Sequence, residues 1–309
     1  MADISRTDVA TLIQEEYSSA LLDTAASTSA ALSAFENVPL GTKITNLPVL
    51  TSLPEAAWVS ESSTTAAGTK QTSKAVWGNK QFVVEEVAVI IPIHEDVLDD
   101  ATEDLLARLT AMGGAALGKT LDQAVFFGLN KPATWLSPDL FAAATAAGQL
   151  FQVGTGLNDL GGSILQAAGA IADNGAEPST MFTSSGLRYR LANLRASDGS
   201  TVFVPSLNAG PGATDNLFGL DAQYLKNGAW QNSVATAIIA DRDRVKIGVR
   251  QDITVKFLDQ ATVGGINLAE KDMVALRFKA RYAYVLGNTI GADGLQSKPV
   301  AAVTPVAVV

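Results

Sequence analysis

Apolar residues follow a helical repeat over one long stretch in the first half of the chain. Leu105, Leu109, Met112, Ala116 and Thr120 recur at steps of three and four, which places them on one face of a helix. Further apolar residues widen this face: Leu106, Leu117, Leu121, Ala124 and Phe127. The pattern predicts a helix from about residue 95 to residue 127, on the order of 40 Å long.

Two glycines lie near the middle of this predicted helix. Gly113 and Gly114 each cost about 1 kcal/mol of helix stability relative to alanine. Their presence indicates that another segment approaches the helix closely there, or that the helix bends.

Strands are predicted on either side of the helix. The apolar run 82–91 is one such strand, and Pro92 is expected to break it. The clearest alternation runs from Met273 to Leu286, with Arg277, Lys279 and Arg281 on the polar face. The opposite face of this strand is apolar: Val274, Leu276, Phe278, Ala280, Tyr282 and Tyr284.

Two shorter strand-like runs predict a projecting hairpin upstream of residue 82. They cover residues 42–50 and 56–59, and a tip of small and polar residues follows at 62–73. An isolated two-stranded ribbon is marginal in water, and Trp58 and Trp77 would be poorly buried in it. We therefore expect the hairpin to pack on another subunit, and a flexible surface loop is the alternative.

The composition narrows the possible functions. The chain has 309 residues, 47% of them hydrophobic, which suffices for one large domain or two connected ones. The absence of cysteine excludes disulfides and thiolate metal sites, and His94 is the only histidine. A net charge of −9 does not favour binding of duplex DNA, which needs clustered lysine and arginine. Neither a signal peptide nor a transmembrane run is recognisable.

The candidate chemical groups have simpler structural interpretations. His94 lacks a positioned nucleophile, so a histidine near a helix start is favoured over a catalytic base. Five carboxylates could hold a cation, but their spacing does not match an EF-hand loop, and acids at a helix start are favoured. These five are Asp96, Asp99, Asp100, Glu103 and Asp104. No catalytic, cofactor-binding or metal-binding residue is predicted.

The order of these segments resembles the major capsid proteins of tailed bacteriophages, which have the Hong Kong 97-type fold. The resemblance rests on Ala57-Trp58-Val59-Ser60-Glu61 before the polar tip and on Ile91-Pro92-Ile93 before the acidic residues. It rests further on the end of the long helix at residues 121–128. The later order of helix, strand, helix and the Asp198-Gly199 turn resembles the axial domain of that family.

The resemblance implies an α+β fold with six parts. These are an N-terminal arm (1–38), an extended hairpin loop (39–84), a peripheral domain with a long spine helix (85–130), an axial domain (131–240), the second part of the peripheral domain (241–290) and a C-terminal tail (291–309). The arm is expected to reach over a neighbouring subunit, and the tail to be extended or to pack on a neighbour. No removable scaffolding segment is expected, which implies a separate scaffold or assembly without one.

The function that the resemblance implies is structural. The chain would self-assemble through pentamers and hexamers into an icosahedral head shell that encloses double-stranded phage DNA, without enzyme activity, cofactors or membrane contact. It would be found in the virion, and in the host cytoplasm during assembly, with a scaffolding protein, a portal and decoration proteins as candidate partners. Two alternatives stay open: an encapsulin-like cargo compartment, and a soluble α+β enzyme, which the shortage of histidine and the lack of a nucleophile motif disfavour.

The side chains predicted to contact neighbouring subunits lie in the hairpin or away from the apolar stripes. They are Trp58, Glu61, Lys70, Lys74, Trp77, Arg188, Arg195, Arg277 and Arg281. Some capsid proteins of the resembled family also join neighbours by an isopeptide bond between a loop lysine and an asparagine, assisted by a glutamate. Lys70, Lys74, Lys80 and Asn288 have the matching residue types, but no motif fixes a pairing.

Overall fold

The computed structural model describes residues 28–52, 54, 56, 58, 72–99, 105–154, 159–193, 215–291 and 296–305. The first half of this part of the chain contains α1 (Ala30–Ala34), β1 (Glu36–Pro39), β2 (Ile44–Ser52), β3 (Val76–Val83), β4 (Glu85–His94), α2 (Glu95–Asp99) and α3 (Leu105–Phe127). The middle contains α4 (Leu140–Ala146), β5 (Leu150–Gln152), α5 (Asp159–Asp173), β6 (Thr180–Ser184) and α6 (Gly186–Ala192).

The remaining described elements are almost all strands. They are β7 (Asp215–Leu217), β8 (Leu220–Leu225), β9 (Ala237–Ala240), a 3-10 turn (Arg242–Arg244), β10 (Val245–Leu258), β11 (Thr262–Val263), β12 (Ile266–Asn267), β13 (Met273–Leu286), β14 (Thr289–Ile290), β15 (Gln296–Ser297) and β16 (Val300–Thr304). A four-stranded sheet has the order β1-β10-β13-β4, and a six-stranded sheet has the order β5-β16-β9-β6-β8-β7. β2 and β3 pair as a separate two-stranded ribbon.

The long strand β13 organises the four-stranded sheet. It pairs antiparallel with β10 on one side and with β4 on the other. Its apolar face is buried, with Phe278 and Tyr284 almost inaccessible to solvent, whereas Arg277 and Lys279 are only half-buried on the opposite face. The predicted alternation is confirmed from Leu276 to Tyr282, whereas Ala275, Ala283 and Val285 on the other face are also buried.

The predicted break at Pro92 is wrong. Strand β4 continues through Pro92, which lies opposite Ala275, and ends at His94, opposite Met273. β4 is an edge strand of this sheet, so the proline nitrogen can face away from β13 without removing a hydrogen bond from the ladder.

The spine helix α3 packs on the apolar face of β13, as Gly113 shows most clearly. A Cβ atom at Gly113 would lie 2.7 Å from Cδ2 of Phe278, so the glycine allows close approach of helix and strand. The close approach inferred from the glycine is therefore confirmed. The predicted helix is confirmed from Leu105 to Phe127, and residues 95–99 form the short helix α2, while residues 100–104 lie outside the described ranges.

Replacing Gly113 with alanine is expected to lower the free energy of unfolding by up to about 2 kcal/mol. Pressing a methyl group onto the buried ring of Phe278 costs about 1–3 kcal/mol, and the better helix propensity of alanine offsets about 1 kcal/mol. Gly169 in α5 is the control, because a Cβ there meets nothing within 4 Å and Gly169→Ala should stabilise the chain. Urea denaturation of the unassembled protein measures both, and equal stability of the two variants would contradict this packing.

Strand β16 inserts the C-terminal segment into the six-stranded sheet. It lies between β9, with which it is antiparallel, and β5, with which it is parallel, and residues Val300 to Val303 are fully buried. The expected extended conformation is present here. Its partners, however, are strands of the same chain and not of a neighbour, because the Val/Ala run is apolar enough to form a central strand.

Aromatic side chains join the two sheets through the end of α3. The ring centroid of Phe126 lies 4.8 Å from that of Phe182 on β6 and 6.2 Å from that of Trp230. Phe35, which follows α1, lies 5.0 Å from Phe182. The spine helix therefore packs on the four-stranded sheet along its length and on the six-stranded sheet at its C-terminal end.

Candidate assembly surfaces

The β2–β3 ribbon exposes large apolar side chains at its outer end. Trp77, opposite Leu50 in the pairing, is 68% exposed, and Val76 beside it is also exposed. Trp58, which lies between β2 and β3 in the sequence, is fully exposed. The prediction that the hairpin buries neither tryptophan by itself is confirmed.

The base of the ribbon is fastened to the body of the protein. Phe82 is buried in a small cluster with Leu40 and Val285. Trp135 Nε1 donates a hydrogen bond of 3.0 Å to the carbonyl oxygen of Val83. Lys80 Nζ donates to the carbonyl oxygen of Leu286 and to Oδ1 of Asn288, the latter at 2.9 Å. The ribbon thus has a fixed base and an exposed end.

Lys80 is expected to make stability depend on pH above neutrality. Burial, with a contribution from the nearby Lys298 ammonium, lowers the pKa of Lys80 from 10.5 to about 8. Below pH 8 the charge therefore opposes folding, and this cost disappears as the pH rises from 8 to 10.5. Because the side chain is only partly buried, we expect a gain of about 1 kcal/mol relative to Lys80→Met over this interval. Urea denaturation at pH 7 and pH 10 measures it, and a pH-independent difference would contradict it.

The root of the N-terminal arm is held by a buried carboxylate of the spine helix. Asp122 accepts hydrogen bonds from Ser29 Oγ at 2.6 Å, from the backbone N–H groups of Ala30 and Ala31 at 3.0 Å, and from Asn227 Nδ2 at 2.6 Å. Burial raises the pKa of Asp122, although the hydrogen bonds oppose this shift. Asp122 therefore holds residues 29–31, the root of the predicted arm, on the spine helix.

Sequence reasoning missed Asp122. Its partners Ser29 and Asn227 lie 93 and 105 residues away in the chain. One feature of the sequence could have indicated a role for Asp122. It is an aspartate beside the buried stripe of α3, near the C-terminal end of the helix, where the helix dipole disfavours a negative charge.

The outer face of the four-stranded sheet carries the cations of β13. Lys279 Nζ lies 2.6 Å from Oε2 of Glu86, and Arg281 Nε lies 3.6 Å from the same oxygen. The hydrogen bond from Lys279 is the main cause that lowers the pKa of Glu86. Arg277 lies opposite Ile90, and its buried Nε has no hydrogen-bond partner among the described residues.

The predicted contact residues that the structure describes lie in three separate places. Trp58, Lys74 and Trp77 are exposed in or beside the ribbon, Arg188 is half-buried on α6, and Arg277 and Arg281 lie on the outer sheet face. Glu61, Lys70 and Arg195 lie outside the described residues. For all nine residues, the contacts with neighbouring subunits stay predictions.

One lysine and the asparagine considered for cross-linking, Lys80 and Asn288, contact each other within the same chain. Of the three candidate lysines, Lys80 is hydrogen-bonded to Asn288, whereas Lys74 is exposed and Lys70 lies outside the described ranges. A covalent bond between neighbours stays a prediction.

The described part of the chain contains no group of three or more histidine, aspartate or glutamate side chains placed to hold a metal ion. His94 is exposed at the end of β4, and Asp96 is exposed on α2. Asp100, Glu103 and Asp104 lie outside the described ranges. No helix among the described residues is both long and apolar enough to cross a membrane.

An exposed aromatic ribbon and an anchored arm root on an α+β body are features of a protein that assembles with further chains. The chain belongs to the phage capsid family, whose family model matches residues 10–289. A solved chain from Mycobacterium phage Cain is 52% identical, with 100% of both chains covered and a TM-score of 0.82. One from Mycobacterium phage Adephagia is 53% identical, with 98% of both chains covered and a TM-score of 0.81.

A more distant solved chain has the same fold. It comes from the capsid of the native GTA particle, computed with C5 symmetry, and is 15% identical with a TM-score of 0.65 over 92% of this chain and 91% of that chain. No curated protein matches the sequence. The predicted family and the predicted α+β fold of the Hong Kong 97-type capsid proteins are confirmed, and the protein is a capsid shell protein of the virion.

Proposed function

We propose that this protein assembles through pentamers and hexamers into a closed icosahedral head shell that encloses double-stranded DNA. The observation that carries the proposal is the ribbon, whose Trp77 is 68% exposed while its base is fastened by Phe82 and Lys80. A rigidly based element with an exposed indole ring suits a contact in which a neighbouring copy covers the ring, since buried tryptophans supply much of the free energy of association at interfaces.

The ribbon and the surface that receives it are different parts of the chain, so the contact is heterologous. Heterologous contacts close into rings when the rotation between neighbours divides a full turn. We propose that this contact closes into fivefold rings. We propose that the same contact also forms sixfold rings. The direction of the ribbon would then adjust at Gly41, where the space around the Cα position is open.

The shell encloses DNA without binding a particular sequence. A net charge of −9 reduces adhesion of the genome to the wall, because phosphate contacts need clustered lysine and arginine. Assembly takes place in the host cytoplasm, with a scaffolding protein, a portal and decoration proteins as partners. The function is structural, and no reaction is assigned to the chain.

Native mass spectrometry of the purified protein, alone and with a candidate scaffold, tests the ring sizes. We expect masses of five and six copies, followed by closed shells in negative-stain images. Particles isolated from infected cells should contain double-stranded DNA. A monomer under all conditions would overturn the assembly, and shells filled with a cargo protein in place of DNA would favour an encapsulin-like compartment.

A further inference from the structure

Two lysines converge on one amide oxygen at the base of the ribbon. Oδ1 of Asn288 accepts hydrogen bonds from Lys80 Nζ at 2.9 Å and from Lys298 Nζ at 2.7 Å. The amide orientation is set by Asn288 Nδ2, which donates to Oε1 of Gln296 at 2.8 Å. Strand β3, the turn after β13 and the segment before β16 therefore meet at this point.

The two ammonium groups have no counter-charge in the part of the chain that the structure describes. Burial lowers the pKa of both lysines, Lys298 lowers that of Lys80 further, and no carboxylate opposes either shift. An ammonium has three N–H donors. Lys80 uses two of them, on Leu286 and Asn288, and Lys298 uses one, so three donors remain without an acceptor among the described residues.

Asn288, which accepts from both lysines, also lines a groove of about 810 Å³. The lining of this groove includes residues 47–50 of the ribbon, Val285 and Ile290. The charged side chains of the groove are Glu177, Asp241, Asp243, Arg244 and Lys246. Asp241 lies 3.9 Å from Arg244, and none of the three acids contacts Lys80 or Lys298.

We propose that Lys80 and Lys298 form a binding site for an oxyanion. A carboxylate or an inorganic phosphate has oxygens spaced to accept from both ammonium groups at once, and it would supply the missing negative charge. Bound there, it would hold the ribbon base, through Lys80, against the segment that leads into β16, through Lys298. In the free chain the anion would be phosphate from solution, and in the shell a carboxylate of a second copy is the other source of the same chemistry.

Trace acylation of lysines with acetic anhydride, read by peptide mass spectrometry, tests the site on the unassembled full chain. The reaction is run at pH 8 in chloride and in inorganic phosphate at equal ionic strength, because acylation requires the neutral amine. We expect phosphate to slow acylation of Lys80 and Lys298 by about threefold or more, since an adjacent anion raises their pKa values. The exposed Lys43 and Lys226 serve as internal controls and should react equally in both salts.

Two variants make this result specific to the site. In Lys298→Met, phosphate should no longer slow acylation of Lys80. Asp293→Asn removes the one carboxylate of residues 291–295, which connect β14 to β15 in the sequence; Asp293 lies outside the described residues. If Lys80 and Lys298 react faster in this variant than in the native chain in chloride, Asp293 occupies the site and the proposal is overturned. Equal rates in chloride and phosphate for the native chain, or equal slowing of Lys43 and Lys226, would also overturn it.

Assembled particles distinguish the two sources of the anion. If Lys80 is already protected in chloride and phosphate adds nothing, a carboxylate of a neighbouring copy fills the site. If phosphate still slows the reaction, the anion comes from solution. Only this last comparison rests on the proposed assembly, so a failure to assemble leaves the test on the free chain intact.

Discussion

Replacing Asp122 with alanine is expected to lower the free energy of unfolding by about 3–5 kcal/mol. The change leaves the hydroxyl of Ser29 and two backbone N–H groups without their acceptor in a buried place, and the amide of Asn227 loses one of its two acceptors. Each buried donor left unsatisfied costs about 1–3 kcal/mol, and relief of the buried charge offsets part of the sum. Urea denaturation of the unassembled chain measures the loss, and faster amide exchange at Ala30 and Ala31 would locate it.

Asp139→Ala is the matched control for Asp122. Asp139 caps α4 by accepting from the N–H of Ala142 at 3.0 Å, and it is only half-buried. Loss of such a cap costs about 1 kcal/mol. If Asp122→Ala is no more destabilising than Asp139→Ala, the arm root is not held as described.

Replacing Trp77 with serine is expected to abolish shell formation while the free energy of unfolding of the single chain changes by about 0.5 kcal/mol or less. Trp77 is 68% exposed, so the single chain gains little from its ring. At an interface, truncating a buried tryptophan costs about 2–4 kcal/mol, and every neighbour contact in a ring repeats that loss. Sedimentation velocity and urea denaturation of the same preparation separate the two effects.

Leu136→Ser is the control for the ribbon variant. Leu136 is 77% exposed in the segment between α3 and α4 and does not belong to the ribbon strands, so its replacement removes exposed apolar surface outside them. This variant should form shells at the same protein concentration as the native chain. Shells formed by Trp77→Ser at that concentration would show that the ring is not buried by a neighbour.

Elements with a strong local period were predictable from the sequence. The alternation of β13 and the stripe of α3 follow from burying one face of each. Gly113 indicated close approach of another segment or a bend, and the structure shows that the segment is β13. Pro92 was misinterpreted because a proline ends a central strand but not an edge strand, and strand order is not visible in a single sequence.

Contacts between distant residues account for what the sequence did not reveal. Lys80 and Asn288 are 208 residues apart, and Asp122 and Ser29 are 93 apart. No spacing rule connects such pairs, because only the tertiary fold brings them together. For the same reason β16 could be recognised as extended while its place between β9 and β5 could not.

Electron cryo-microscopy of particles assembled from the purified native chain tests the central claim most directly. The account predicts closed shells built of pentamers and hexamers, in which the β2–β3 ribbon lies on a neighbouring copy and the ring of Trp77 is buried there. Shells in which the ribbon contacts only its own chain and Trp77 remains in solvent would contradict it.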